Sequence, residues 1–162
     1  MKRNFSRFLA RLETRRADYK RRTSESGPRR EFGGLYPPAP AEAIRRADEA
    51  LGFPLPAALT AIYRKLANGG FGPGFGILGV EGGYTDPDLG GLTLIEFHQW
   101  ILGAAKSWPH QLLTVCNLGG NTRYAIECGQ PECPVYLVEG IAVEQRVGPF
   151  EDVMENWAAG RD

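Results

Sequence analysis

The chain has 162 residues, 43 % of them hydrophobic and 10 % aromatic, which suits one globular domain and excludes a low-complexity or fibrous protein. No apolar run approaches the roughly 18 residues of a membrane span, and three cysteines, an odd number, argue against a complete disulfide framework. Formal net charge is zero, but residues 1–30 hold 11 Lys and Arg against 3 Asp and Glu, and residues 31–162 hold 8 against 16. An acidic body disfavours phosphate-bearing partners and favours basic ones.

The N-terminus, Met-Lys-Arg-Asn-Phe, is followed by neither an apolar run nor a small-residue cleavage site, so no secretory signal is expected and the cytoplasm is the expected compartment. Over residues 5–22, Phe5, Phe8, Leu9, Leu12 and Tyr19 follow helical spacing, with Arg7, Arg11, Arg15, Arg16 and Lys20 elsewhere on the wheel. Two readings stay open: an amphipathic helix docked on the domain, or a basic helix offered to nucleic acid or a membrane surface. The apolar stripe thins after Leu12, so loose docking is expected. Residues 24–28 and 33–40 read as linker, stiffened by Pro37, Pro38 and Pro40. The expected organisation is therefore a basic arm with its Pro/Gly linker over residues 1–38 and a folded domain over residues 39–162.

A helix is predicted over residues 41–51, with Ile44, Ala47 and Leu51 on its apolar face and Gly52 as its stop. Leu55 and Pro56 open a second helix, with Leu59, Ile62, Tyr63 and Leu66 as its apolar set. Asn68, Gly69 and Gly70 end it. Eight of the sixteen residues 68–83 are Gly. Within them Gly74-Phe-Gly76-Ile-Leu-Gly79 matches G-x-G-x-x-G, but a dinucleotide fingerprint needs a strand before it and a helix after it. Here a helix precedes, and no Gly-Lys-Ser/Thr follows, so neither a Rossmann nor a P-loop phosphate site is expected. Residues 76–80 read as a short strand leaving a tight loop.

Residues 84–91 form an acidic loop, and Leu94, Ile95, Phe97, His98, Ile101 and Leu102 mark a helix within residues 92–105. From Gln111 the period changes to short apolar or alternating runs at residues 112–116, 123–128 and 134–139, with a further strand at 141–147. Turn-type sequences separate them, which predicts an antiparallel meander. Phe150, Val153, Met154 and Trp157 then give an amphipathic closing helix, begun by Glu151 and Asp152. The expected class is α+β, a single mainly antiparallel sheet with helices packed on one side and a basic N-terminal helical arm.

Several segments fall in a familiar order. Leu55-Pro56 leading into Ile62-Tyr63, then Asn68-Gly69-Gly70, then the Gly-rich residues 72–83, resembles the signature of the SUKH superfamily, the Smi/Knr-like fold. Trp108-Pro109, Leu112 to Cys116, Gly119-Gly120, Tyr124 to Cys128 and Pro134-Val135-Tyr136 are similar to that family's second half, and the Phe150–Trp157 helix fits as well. Thr114 stands where the pattern often has Pro, and Glu127 where Asp is common. The resemblance covers roughly residues 40–158, so residues 1–35 inherit no role from it. It implies an immunity-type protein that binds and neutralises a bacterial toxin, such as a nuclease or deaminase, with no shared catalytic residues and no cofactor.

The residues read on their own agree with that. Cys128 and Cys133 are separated by four residues and His98 and His110 lie upstream, which is not zinc spacing. Cys116 closes an apolar strand, as a buried, inert thiol would, and the deaminase pattern H-x-E…P-C-x-x-C is absent. No enzyme activity is therefore expected, and no metal or other cofactor. The candidate partner-binding residues are loop acids and an aromatic: Glu81, Tyr84, Asp86, Asp88, Glu132, Glu139 and Glu144. The expected partner is a basic protein toxin. The alternative is a regulatory or scaffold adaptor whose residues 1–30 contact nucleic acid or membrane. The oligomeric state stays open.

Overall fold

The computed structural model describes residues 5–26 and 36–161, with the backbone alone for residues 18–26. Tyr19 and Lys20 of the basic helix, and the linker residues 27–28 and 33–35, therefore lie outside the described side chains or residues. The described residues form five α-helices and one four-stranded sheet. The order is α1 (Ser6–Ser26), α2 (Ala41–Leu51), α3 (Ala57–Lys65), α4 (Leu94–Ala104), β1 (Leu112–Gly119), β2 (Thr122–Glu127), β3 (Pro134–Glu139), β4 (Ala142–Pro149) and α5 (Phe150–Ala158). The α+β class and the antiparallel sheet are those the sequence predicts.

Prolines set the starts. Pro40 precedes α2, Pro56 precedes α3 and Pro149 precedes α5, where a missing N–H costs no helical bond. α2 buries Ala43, Ile44, Ala47 and Leu51 and stops at Gly52, whose left-handed φ of 79° lets its N–H return to the Asp48 carbonyl at 3.0 Å. α4 begins with a capping box in which Thr93 and Glu96 each accept the other's backbone N–H at 3.3 Å.

α1 is held to the domain. It packs against α5 and α3, and Phe8 and Leu12 join the same apolar core as Leu59, Ile62 and Met154. Arg11 pairs with Glu155 on α5, and the Arg15 guanidinium lies 5.4 Å from the Trp157 ring centroid. Loose docking was the expectation from a stripe that thins after Leu12. The structure instead buries Leu12 to 0 % exposure and Phe8 beside it, with Phe5 and Leu9 partly buried against the same core.

The sheet runs in order β1-β2-β3-β4, and every pairing is antiparallel. Burial falls steadily across it. Residues 112–117 of β1 are all buried, whereas residues 142–147 of β4 are all exposed. The outer edge of β1 is closed by the Gly-rich segment: Ile77 bridges Cys116, Leu78 N–H donates to the Val115 carbonyl at 2.8 Å, and Phe75 N–H to the Asn117 carbonyl at 2.9 Å. The strand expected over residues 76–80 is thus a single bridge. After Leu78 the backbone turns back toward Asn68 and Tyr84, with Gly79 N–H donating to the Tyr84 carbonyl at 2.8 Å, so the ladder cannot continue.

Candidate partner-binding surface

The Gly-rich segment exists because backbone must pass closer to backbone than a side chain allows. A Cβ on Gly83 would sit 2.4 Å from Asn68 Cγ and from the Asn68 carbonyl oxygen. A Cβ on Gly74, at φ 61°, would sit 2.1 Å from the Asn117 carbonyl oxygen. The folded loop encloses Asn68, whose buried amide accepts from Val80 N–H at 2.9 Å and donates to the Glu81 carbonyl at 3.1 Å. Buried Tyr63 on α3 donates its hydroxyl to the Leu78 carbonyl, tying the loop to the helix behind it. The loop is a support, and what it supports is Glu81.

Glu81 is exposed and pairs with Arg46 of α2 at 2.8 Å. The two stand over an open cleft of about 390 Å³ between α2 and the start of α4, floored by Ala43 and Ala47 and bordered by Glu96. One turn beyond Glu96, on the same helix face, Trp100 stands 57 % exposed. Its ring centroid is 5.5 Å from that of buried Phe97, which carries the Arg123 guanidinium at 5.5 Å. Trp100 thus presents an exposed aromatic ring that rests on Phe97, one turn from the Glu96 carboxylate. Trp100 was legible in principle: residues 96 and 100 fall on the arc of α4 away from Leu94, Ile95 and His98.

The seven residues expected at a binding surface divide. Tyr84 and Asp86, expected on the surface, are buried. Asp86 accepts from Asp88 N–H at 2.8 Å, capping the short 3₁₀ turn Pro87–Leu89, and from Asn117 Nδ2 at 3.0 Å. It closes its loop onto β1, as a short Asx-type acceptor does. Burial, and then the neighbouring Asp86 carboxylate, pushes the Tyr84 phenol well above its usual range. Glu81 and Asp88 remain exposed on the connection before α4. Glu139 on β3 and Glu144 on β4 are exposed, as is Glu132 in the connection between β2 and β3, which pairs with Arg146 of β4 at 3.2 Å. The acids thus form two separate groups.

Of the cysteines and histidines, Cys116 and His98 are turned inward, Cys128 and Cys133 are half-buried and His110 is exposed. Cys116 is buried, and desolvation pushes its thiol far above the ordinary value, as burial and then Cys133 do for Cys128. His98 on α4 is buried too. Its Nε2 meets the His110 carbonyl at 2.9 Å and its Nδ1 has no partner. Among the described residues, no cluster of three or more His, Cys, Asp or Glu is placed to hold a metal ion, and no helix is long and apolar enough to cross a membrane.

Residues 38–156 match the model of the SMI1 / KNR4 family (SUKH-1), close to three quarters of the chain. The chain belongs to this family. No curated protein matches it in sequence. The SMI1 / KNR4 segment takes in α2 to β4, the Gly-rich support, Glu81, Trp100 and most of α5. Helix α1 lies outside it, so Phe8 and Leu12 add to the core from beyond the family segment.

Proposed function

We propose that this protein is an immunity protein that binds a cognate bacterial toxin in the cytoplasm and blocks it without catalysis of its own. Membership of the SMI1 / KNR4 family carries the reading, since members of the SUKH group commonly have this role. The surface described above supports it. We take exposed Trp100 as the anchor, one helical turn from Glu96, which borders the same cleft as Glu81. Glu132, Glu139 and Glu144 extend the negative field along the sheet, which steers a basic partner more than it grips one. Of the arm's described cations, Arg11, Arg15 and Arg16 are engaged by Glu155, Trp157 and Glu13.

The test is capture of the partner with the full chain, followed by growth of cells expressing that partner alone or together with this protein. The reading expects a stoichiometric protein that is toxic alone and tolerated in co-expression. Trp100→Ala weakens binding at least about tenfold, on the scale of an interface anchor. No stoichiometric partner, or a partner bound more tightly after Glu81→Lys and Asp88→Lys, overturns it.

A further inference from the structure

Among the described residues, Arg123 of β2 is the only buried arginine or lysine, at 8 % exposure. Its guanidinium rests on the Phe97 ring, and Nη2 donates to the Gly140 carbonyl in the β3–β4 turn, but Nε is buried without an acceptor. No carboxylate among the described residues pairs with it. Asn117, opposite Arg123 in the β1–β2 register, gives its amide to Asp86, whose other oxygen accepts the Asp88 N–H. Burial lowers the pKa of this guanidinium, the direction of a cation taken from water without a counter-charge. A buried charge is ordinarily paired, and a ring face with one carbonyl offsets only part of the hydration it has lost.

What surrounds Arg123 points to where the counter-charge comes from. The β1–β2 and β3–β4 turns meet at this end of the sheet, where Gly140 N–H donates to the Asn121 carbonyl at 2.9 Å. Ile141, next to Gly140, is 61 % exposed. Trp100, stacked on the same Phe97, is 57 % exposed. A half-satisfied cation with exposed apolar side chains about it has the make-up of an interface anchor, in which apolar contacts exclude water from a charge-assisted pair. We propose that Arg123 receives an Asp or Glu carboxylate of the protein partner, with Trp100 and Ile141 supplying the apolar contacts around it. The partner is that of the immunity reading, on which this rests. The acidic surface steers a basic protein, and Arg123 selects one that offers an acid at this point, so steering and specificity come from opposite charges.

The first test uses acetate as the probe and no toxin, so its failure leaves the immunity reading standing. In NMR spectra of the full chain, the Arg123 Nε–H resonance, identified by its loss in Arg123→Met, is followed as sodium acetate replaces sodium chloride at constant ionic strength. A saturable shift is expected, and no shift overturns the proposal. The second test measures affinity for the captured partner. Arg123→Met keeps an unbranched chain on Phe97 and removes the charge, and it weakens binding at least about tenfold. Arg123→Lys, which keeps the charge without the fork, weakens it less. The urea midpoint of free Arg123→Met stays at or above that of the wild type, because the charge it removes is one that the fold alone leaves unpaired. A fall in that midpoint assigns Arg123 a structural role and overturns the proposal. So does an acetate shift with partner affinity unchanged in Arg123→Met, which would assign the site to a small organic acid.

Discussion

Asn68 and Val80 hold each other from both sides: the Val80 N–H donates to Asn68 Oδ1 at 2.9 Å, and Asn68 Nδ2 reaches back to the Val80 carbonyl at 3.5 Å. The Asn68 carbonyl also accepts the Tyr84 N–H at 3.0 Å. One buried side chain thus organises the whole turn from Gly79 to Tyr84, and Glu81 sits at its tip.

Removing that amide leaves a buried N–H without an acceptor. Asn68→Ala is expected to cost about 1–3 kcal/mol, read from the urea midpoint at an unchanged slope. Gly83→Ala fails for a different reason, overlap with Asn68. Adding Asn68→Ala does not rescue it, because the Asn68 carbonyl oxygen remains 2.4 Å from the new methyl.

The attachment of α1 rests on burial more than on charge. Leu12, fully buried, should lose about 2–5 kcal/mol on Leu12→Ala. Arg11→Ala breaks an ion pair whose arginine is about half exposed and should cost less than about 1 kcal/mol. Equal losses in a denaturant titration would show that the ion pair fastens the helix as much as the core does.

His98 makes stability depend on pH in a definite direction. Its Nε2 donates to the His110 carbonyl, since a carbonyl can only accept, so the proton gained in acid would go to Nδ1, which is buried without an acceptor. Burial accordingly lowers its pKa from 6.5. The unfolded chain then binds the extra proton more readily, so His98's contribution is complete above about pH 6.5 and is lost as pH falls below it. The urea midpoint should drop between about pH 7 and about pH 5, and His98→Gln, which keeps a donor for the His110 carbonyl, should flatten that part of the profile.

The thiols should react in the order of their burial. Native alkylation under mildly alkaline conditions labels half-exposed Cys133 first, then Cys128, and reaches Cys116 only on unfolding, as peptide mass spectrometry would show. Rapid labelling of Cys116 in the folded protein would reopen a thiol-based activity.

Local pattern decided much of this protein. The apolar spacing in α2, α4 and α5, the prolines before α2, α3 and α5, and the alternating runs after Gln111 settle into their elements through short-range forces that neighbouring residues already specify. The Gly-rich order that marks the family is legible for the same reason. Position in the sheet is not local. Tyr84 and Asp86 read as loop residues, yet Asn117, 31 residues further along from Asp86, draws that carboxylate inside. Residues 141–147 read as a further strand, and only the meander's end leaves Ile141, Val143 and Val147 exposed at an edge that no described strand covers. Trp100 is exposed because Phe97 and Ile101 take the buried side of α4. Local spacing sets which residues share a face. What that face meets depends on packing between distant segments, and that was decided by the tertiary structure alone.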